Sequence, residues 1–151
     1  MTGRPLPGFV LRSATAGDSS AIRRLIGQVR INPTGLDWRR FVVAVDASDR
    51  LLGCGQLKPH VGGIVELASI AVVPSRRNTG IARGIVEHLI KHAPRPLYLT
   101  CRASMGPFYE KWGFLASPAV EMPPYFRRLS RLARILSGVL RDEGMLVMML
   151  Q

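Results

Sequence analysis

Residues 64–92 read IVELASIAVVPSRRNTGIARGIVEHLIKH. Ile64–Val73 is a long, nearly all-apolar run with one acid, Glu66. Bounded by turn residues, it reads as a strand covered on both faces. Pro74 ends it, because proline has no N–H to give to a ladder. Ser75–Thr79 is a basic polar loop, and Gly80–His92 then carries Ile81, Ile85, Leu89 and Ile90 at helical spacing. Gly80 stands where loop becomes helix, and without a Cβ it lets an anion approach the backbone. The free amides of a first helical turn converge on one spot, and the helix dipole favours negative charge there. Arg76, Arg77 and Arg83 add positive charge. The segment reads as a pyrophosphate cradle, or as a strand–helix turn with solvated arginines; taken alone, the local pattern allows both. It is not a Walker loop, since no Gly-Lys-Ser/Thr follows. It is not a dinucleotide fingerprint either, since the three-glycine pattern is missing.

The flanking sequence alternates strands and helices. Residues 9–12 read as a short strand. Thr15 and Asp18 suit a helix start, and Ile22, Leu25, Ile26 and Val29 make 16–30 an amphipathic helix. Phe41–Ala47 and Leu51–Lys58 read as two strands around a turn at Ser48–Arg50, and Pro59–Gly63 turns the chain again. Beyond the central segment, Leu97–Cys101 reads as a strand and 105–112 as a short helix that Gly113 ends. Residues 123–139 form an amphipathic helix with an apolar stripe of Phe126, Leu129, Leu132, Leu136 and Val139. Met145–Leu150 closes the chain as a strand. The pattern is α/β, a central mixed sheet flanked by helices in one domain over 1–151.

Composition narrows the function classes. The chain has 151 residues and 47% hydrophobic composition, ordinary for one globular domain and too apolar for disorder. No apolar run reaches the ~18 residues of a membrane span. The opening MTGRPLPGFV lacks the apolar core of a secretory signal. Cys54 and Cys101 are too few and too far apart for a disulfide scaffold or a zinc site. A cytoplasmic protein with free thiols and no metal is expected. The net charge of +11, from 18 Arg and three Lys against 10 acids, points to an anionic partner: nucleic acid, an anionic membrane or a phosphorylated small molecule.

Two spaced motifs carry a resemblance. Arg77-Asn78-Thr79-Gly80-Ile81-Ala82 resembles the Gln/Arg-x-x-Gly-x-Gly/Ala segment with which the GNAT N-acetyltransferase superfamily binds acyl-CoA. Downstream, Pro107-Phe108-Tyr109-Glu110-Lys111-Trp112-Gly113-Phe114 is similar to that family's Phe-Tyr-x-x-x-Gly-Phe helix and turn. The likeness covers about residues 9–116; residues 117–151 add a helix and the closing strand. It implies a GNAT-like domain with a mostly antiparallel sheet, acetyl-CoA as cofactor and CoA as product. By the same resemblance, the backbone of Ile70, Ala71 and Val72 would bond the pantetheine arm. Arg77, Asn78, Thr79, Gly80, Ile81, Ala82 and Arg83 would hold the pyrophosphate. The family often has an Asn seven residues before the motif tyrosine; Arg102 stands there, and Phe108 would pack against the cofactor instead.

Acetyl transfer needs a neutral amine, and a lysine-like amine of pKa ~10.4 is almost wholly charged at pH 7. Glu66 is the candidate general base, since burial in an apolar strand would raise its pKa, and the resemblance places a glutamate at that position. The alternative is an acid paired with an arginine across the Pro59–Gly63 hairpin. Tyr109 is the candidate acid. A phenol at ~10 facing a thiol at ~8.5 makes full proton transfer uphill by ~2 kcal/mol, so a strengthening hydrogen bond to sulfur is the expected role. His88 and His92 stand i,i+4 without a third ligand and read as exposed residues near a helix end. Cys101 reads as a small buried residue.

These readings converge on N-acetyl transfer from acetyl-CoA to a primary amine by direct attack. The rivals are a basic nucleic-acid-binding module and a non-catalytic acyl-CoA sensor. No nucleic-acid motif is present, so nucleic acid is not expected as a partner. The acceptor amine is not named by the sequence. The basic 123–139 helix would lid the acceptor pocket, form a homodimer seam, rest on anionic lipid or simply pack.

Overall fold

The computed structural model describes residues 8–140 and 143–151, with side chains through Gly138 and from Glu143. Residues 1–7, which begin the stretch read as lacking a secretory signal, lie outside the described residues, as does the Val139 side chain. Seven strands are hydrogen-bonded in the order β1-β2-β3-β4-β5-β7-β6. They are β1 (Val10–Ser13), β2 (Phe41–Val45), β3 (Leu51–Pro59), β4 (Val65–Val72), β5 (Leu97–Arg102), β6 (Leu115–Ala116) and β7 (Met145–Leu150). Pairing is antiparallel except between β4 and β5, where Val65↔Leu97 and Glu66↔Tyr98 run parallel. The helices are α1 (Ser19–Val29), α2 (Ile81–His92), α3 (Gly106–Glu110) and α4 (Pro124–Leu140). The expected mostly antiparallel α/β architecture is therefore present. The two-residue β6 and several 3-10 turns, such as Trp38–Arg40, were not foreseen, being too short to leave a periodic signal.

Two compact units share the chain: one holds residues up to Lys58 with Leu67–Ala93, the other Pro59–Glu66 and residues from Pro94 onward. In the first, Ile22, Leu25 and Ile26 of α1 bury against Phe41, Val43 and Val45 of β2. Each such burial is worth about 1.5–3 kcal/mol. The entry to α1 is fixed by Asp18, which accepts from the Thr15 amide at 2.7 Å and from Arg12 Nη1 at 2.7 Å. The Arg12 guanidinium, ahead of the Thr15 amide, holds the Asp18 carboxyl down at about 2.

The helix α2 packs on β3 because β3 carries two glycines. A Cβ on Gly53 would sit 2.8 Å from Ile81 Cγ2, and one on Gly55 would sit 2.7 Å from Ile85 Cγ2. Those glycines let Ile81, Ile85 and Leu89 approach the strand and become buried, as their spacing predicts. This close approach sets the height at which α2 starts, and so where Gly80 stands. β4 is less covered than its composition suggests, with Ala68, Ser69 and Ile70 half-buried rather than enclosed on both faces.

In the second unit, Tyr98, Met122, Phe126 and Val147 form the core, with Ile64, Tyr125, Met145 and Met149 against it. Phe126 is fully buried. The rest of the expected stripe on α4 is not: Leu129 is half-buried, and Leu132 and Leu136 are exposed. After Phe126 the inward positions belong to Ser130, Ala133 and Ser137, all half-buried.

Candidate functional site

From Leu67 onward the strand–loop–helix segment lies in the first unit. Pro74 opens a 3-10 turn over Pro74–Arg76. Asn78 and Gly80 then adopt left-handed backbone at φ 62° and 87°, a conformation Gly takes without cost and Asn tolerates. Gly80 is the residue from which α2 springs, and its carbonyl accepts from the Gly84 amide at 3.0 Å. The amides of Ile81, Ala82 and Arg83 precede that first bond and have no acceptor within the helix. A Cβ built on Gly80 meets nothing within 4 Å, so the space beside it is open. Arg77 is exposed and Arg76 half-buried. The Thr79 hydroxyl donates to the Arg76 carbonyl and ties the loop to itself. Arg83 Nε donates to Glu87 Oε1 at 3.0 Å, which offsets its charge and leaves Arg76 and Arg77 as the loop's cations.

Just upstream, β4 carries a feature invisible in the sequence. Ser69, in mid-strand, has φ 59°, so the strand bulges there. Gln56 of β3, fully buried, donates through Nε2 to Ser69 Oγ at 2.8 Å and to the Gly35 carbonyl at 3.2 Å. The Val73 amide donates to Leu52 O at 2.8 Å, and the Ala71 amide meets the Cys54 thiol. Both therefore face β3. Backbone groups alternate in direction along a strand, so those of Ile70 and Val72 point to the opposite edge. Burial pushes the Cys54 thiol up to about 12, which leaves it inert.

Glu66 belongs to the second unit and is 6% exposed. Its partner is not an arginine across the hairpin but His60, whose Nε2 lies 2.7 Å from Glu66 Oε1. The imidazole is held in turn: it stacks on Tyr125 with centroids 4.1 Å apart and meets Phe126 edge-on at 5.6 Å. Burial, then the Glu66 charge, raises the Tyr125 phenol above its ordinary value. His60, Tyr125, Gln56 and Ser69 were all missed by sequence reasoning. His60 alone left a signal, as a titratable residue at the turn that folds back onto Glu66.

Tyr109, on α3, is buried among Phe108, Trp112 and Phe114, with ring centroids 5.0, 6.4 and 6.1 Å away. Gly113, at φ 94°, ends the turn and lets fully buried Phe114 fold under it. Phe108 is half-buried. Burial, then the nearby Cys101 thiol, pushes the Tyr109 phenol up to about 12. Against a thiol at ~8.5 this makes full proton transfer uphill by roughly 5 kcal/mol. As a hydrogen-bond donor the phenol remains fully protonated at any physiological pH. Cys101 is half-buried and likewise held protonated, at about 11. The His88 and His92 rings lie 4.7 Å apart, and no group of three His, Cys, Asp or Glu able to hold a metal occurs among the described residues. None of the helices described is long and apolar enough to cross a membrane.

Comparison with known proteins adds a family match over residues 18–114, described as the acetyltransferase (GNAT) family. Mycothiol acetyltransferase of Rhodococcus jostii (strain RHA1) is 35% identical over 81 residues, 54% of this chain and 26% of that protein. The chain thus spans about a quarter of that relative's length. Among solved structures, Rv2747 from Mycobacterium tuberculosis, in complex with CoA and NLQ, superposes with a TM-score of 0.70 at 24% identity, covering 93% of this chain and 98% of that one. N-acetylglutamate synthase from Neisseria gonorrhoeae, complexed with CoA and L-arginine, gives 0.69 at 21% identity over 93% of this chain and 32% of that one. At these identities the structural likeness speaks to the fold.

Proposed function

Because the chain belongs to the acetyltransferase (GNAT) family, we propose that it moves an acetyl group from acetyl-CoA to a primary amine by direct attack, as a single acetyltransferase domain over 1–151. The observation that carries this reading is the open first turn of α2 at Gly80, reached through the left-handed Asn78 and Gly80. Backbone amides from Asn78 to Arg83, with the Arg77 charge, suit a pyrophosphate. Ile70 and Val72 turn their backbone groups to the side of β4 away from β3, past the Val65 and Glu66 pairing with β5, and supply the pantetheine bonds; Ala71 packs beneath them. Phe108 offers a ring to the cofactor. Acetyl-CoA, when bound, supplies the thioester whose C–S bond breaks as the new C–N bond forms, and free CoA leaves.

The chain's own groups handle the protons. Glu66, oriented by His60, takes the proton that the attacking amine loses. Tyr109 donates a hydrogen bond to the sulfur as negative charge collects there. Free Cys54 and Cys101 support a cytoplasmic setting.

Tyr109→Phe tests the reading, because it keeps the ring and removes the hydroxyl alone. An interaction made only in the transition state changes kcat and leaves binding nearly intact. The expected fall in kcat is roughly 10- to 100-fold. The acetyl-CoA Kd, read by calorimetry, shifts less than about threefold. Collapse of cofactor binding in a folded variant would make Tyr109 a binding residue, and unchanged activity would make it core packing.

A further inference from the structure

Past Phe126, α4 turns its larger apolar side chains away from the second unit's core. Leu132, Ile135 and Leu136 are 53%, 61% and 47% exposed. Successive residues step about 100° around a helix axis. These three therefore share one outward arc, while the half-buried Ser130, Ala133 and Ser137 share the inward one. Arg127, Arg131 and Arg134 occupy the arc beside the exposed leucines, and Arg128 lies on the apolar arc itself. Arg127 is engaged with the preceding loop, donating to the Ala119 and Met122 carbonyls. Arg128, Arg131 and Arg134 are exposed and make no ion pair among the described residues. The 17-residue helix contains no acid.

We propose that this outer face of α4 docks onto an anionic phospholipid surface, lying in the plane of the interface. A helix with leucine and isoleucine on one arc and arginine beside it is built for that boundary: the apolar arc enters the acyl region and the basic arc meets phosphate. Arg128, on the apolar arc one turn before Leu132, and Arg131, beside Ile135 at the arc's edge, can lay their stems along it and lift the guanidinium to the headgroups. The charge selects this occupant. A second copy would set four arginines against four with no acid on either helix, and like charges across an interface repel. The anionic surface complements both the helix and the +11 net charge of the chain.

The test is flotation of the full chain with phosphatidylglycerol-rich vesicles and, in parallel, with phosphatidylcholine vesicles. Four proteins are compared: wild type, Leu132→Ser/Ile135→Ser/Leu136→Ser, Arg131→Gln/Arg134→Gln, and Arg24→Gln/Arg40→Gln, which removes two exposed charges elsewhere. All substitutions are at exposed positions, so Tm should stay within about 2 °C. Wild type is expected to float with anionic vesicles at least about tenfold more strongly than with neutral ones. The serine triple and the Arg131/Arg134 pair should each lose about tenfold or more of that binding, and the Arg24/Arg40 pair should lose little. Equal loss from both arginine pairs with none from the serine triple would mean diffuse charge attraction and would overturn the proposal. Absence of vesicle binding, or concentration-dependent dimers that the serine triple abolishes, would overturn it in favour of another partner or a second copy.

Discussion

Glu66→Gln should lower kcat/KM at pH 7 by about 100-fold or more, the scale of a lost general base. The substitution keeps the shape and one hydrogen bond to His60 but removes the site that takes the proton. The loss has a pH signature. The neutral fraction of an amine of pKa ~10.4 rises tenfold per pH unit below that value, so the need for a base shrinks as pH rises. The deficit should therefore be largest near neutrality and narrow toward pH 9–10. His60→Gln should show a smaller fall with the same pH trend, because His60 positions Glu66 across 2.7 Å without touching the amine. The double variant should cost little more than Glu66→Gln alone, as residues acting as a unit are not additive. A deficit in Glu66→Gln that is flat across pH would assign Glu66 a purely structural role.

Gly80→Glu should abolish the rise in Tm that acetyl-CoA produces. At a ligand concentration of ~100 Kd, binding to the folded state alone adds about 2.7 kcal/mol, or roughly 5–10 °C for a chain of this size. The variant puts a carboxylate into the open space beside Gly80, where the cofactor's pyrophosphate is expected. It also forces a side chain onto φ 87°, a strain of about 1–2 kcal/mol that lowers the starting Tm. Gly80→Ala separates the two effects. Alanine carries the same backbone strain, and its Cβ meets nothing within 4 Å. It should start from a similarly lowered Tm yet keep most of the acetyl-CoA shift. If Gly80→Glu keeps the shift as well, the pyrophosphate lies elsewhere.

The strand, turn and helix around Gly80 were legible in the sequence because their determinants are local. Pro74 ends a strand and Gly80 begins a helix through their own backbone preferences, and Ile81, Ile85 and Leu89 fix the buried face of α2. The partner of Glu66 was not legible, since a hairpin fixes only which residues come near. The imidazole won over any arginine because Tyr125 and Phe126, some 60 residues away in sequence, give it a flat berth. The bulge at Ser69 was hidden for a similar reason. Nothing about a serine in an apolar run announces left-handed backbone, and the side chain that meets it, Gln56, sits on another strand. For α4 the periodicity identified an amphipathic helix correctly but not its orientation. Phe126 and three small residues face inward, and the leucine arc that dominates the pattern faces out.

Amine-dependent release of free thiol from acetyl-CoA, measured for the wild-type chain across a panel of primary amines, bears on every step at once. With at least one amine, thiol should appear in step with an acetylated amine of the matching mass, at a rate that rises with pH as the amine becomes neutral. If acetyl-CoA raises Tm yet no amine in the panel releases thiol above the enzyme-free rate, the chain is an acyl-CoA-binding sensor, and neither Glu66 nor Tyr109 is catalytic.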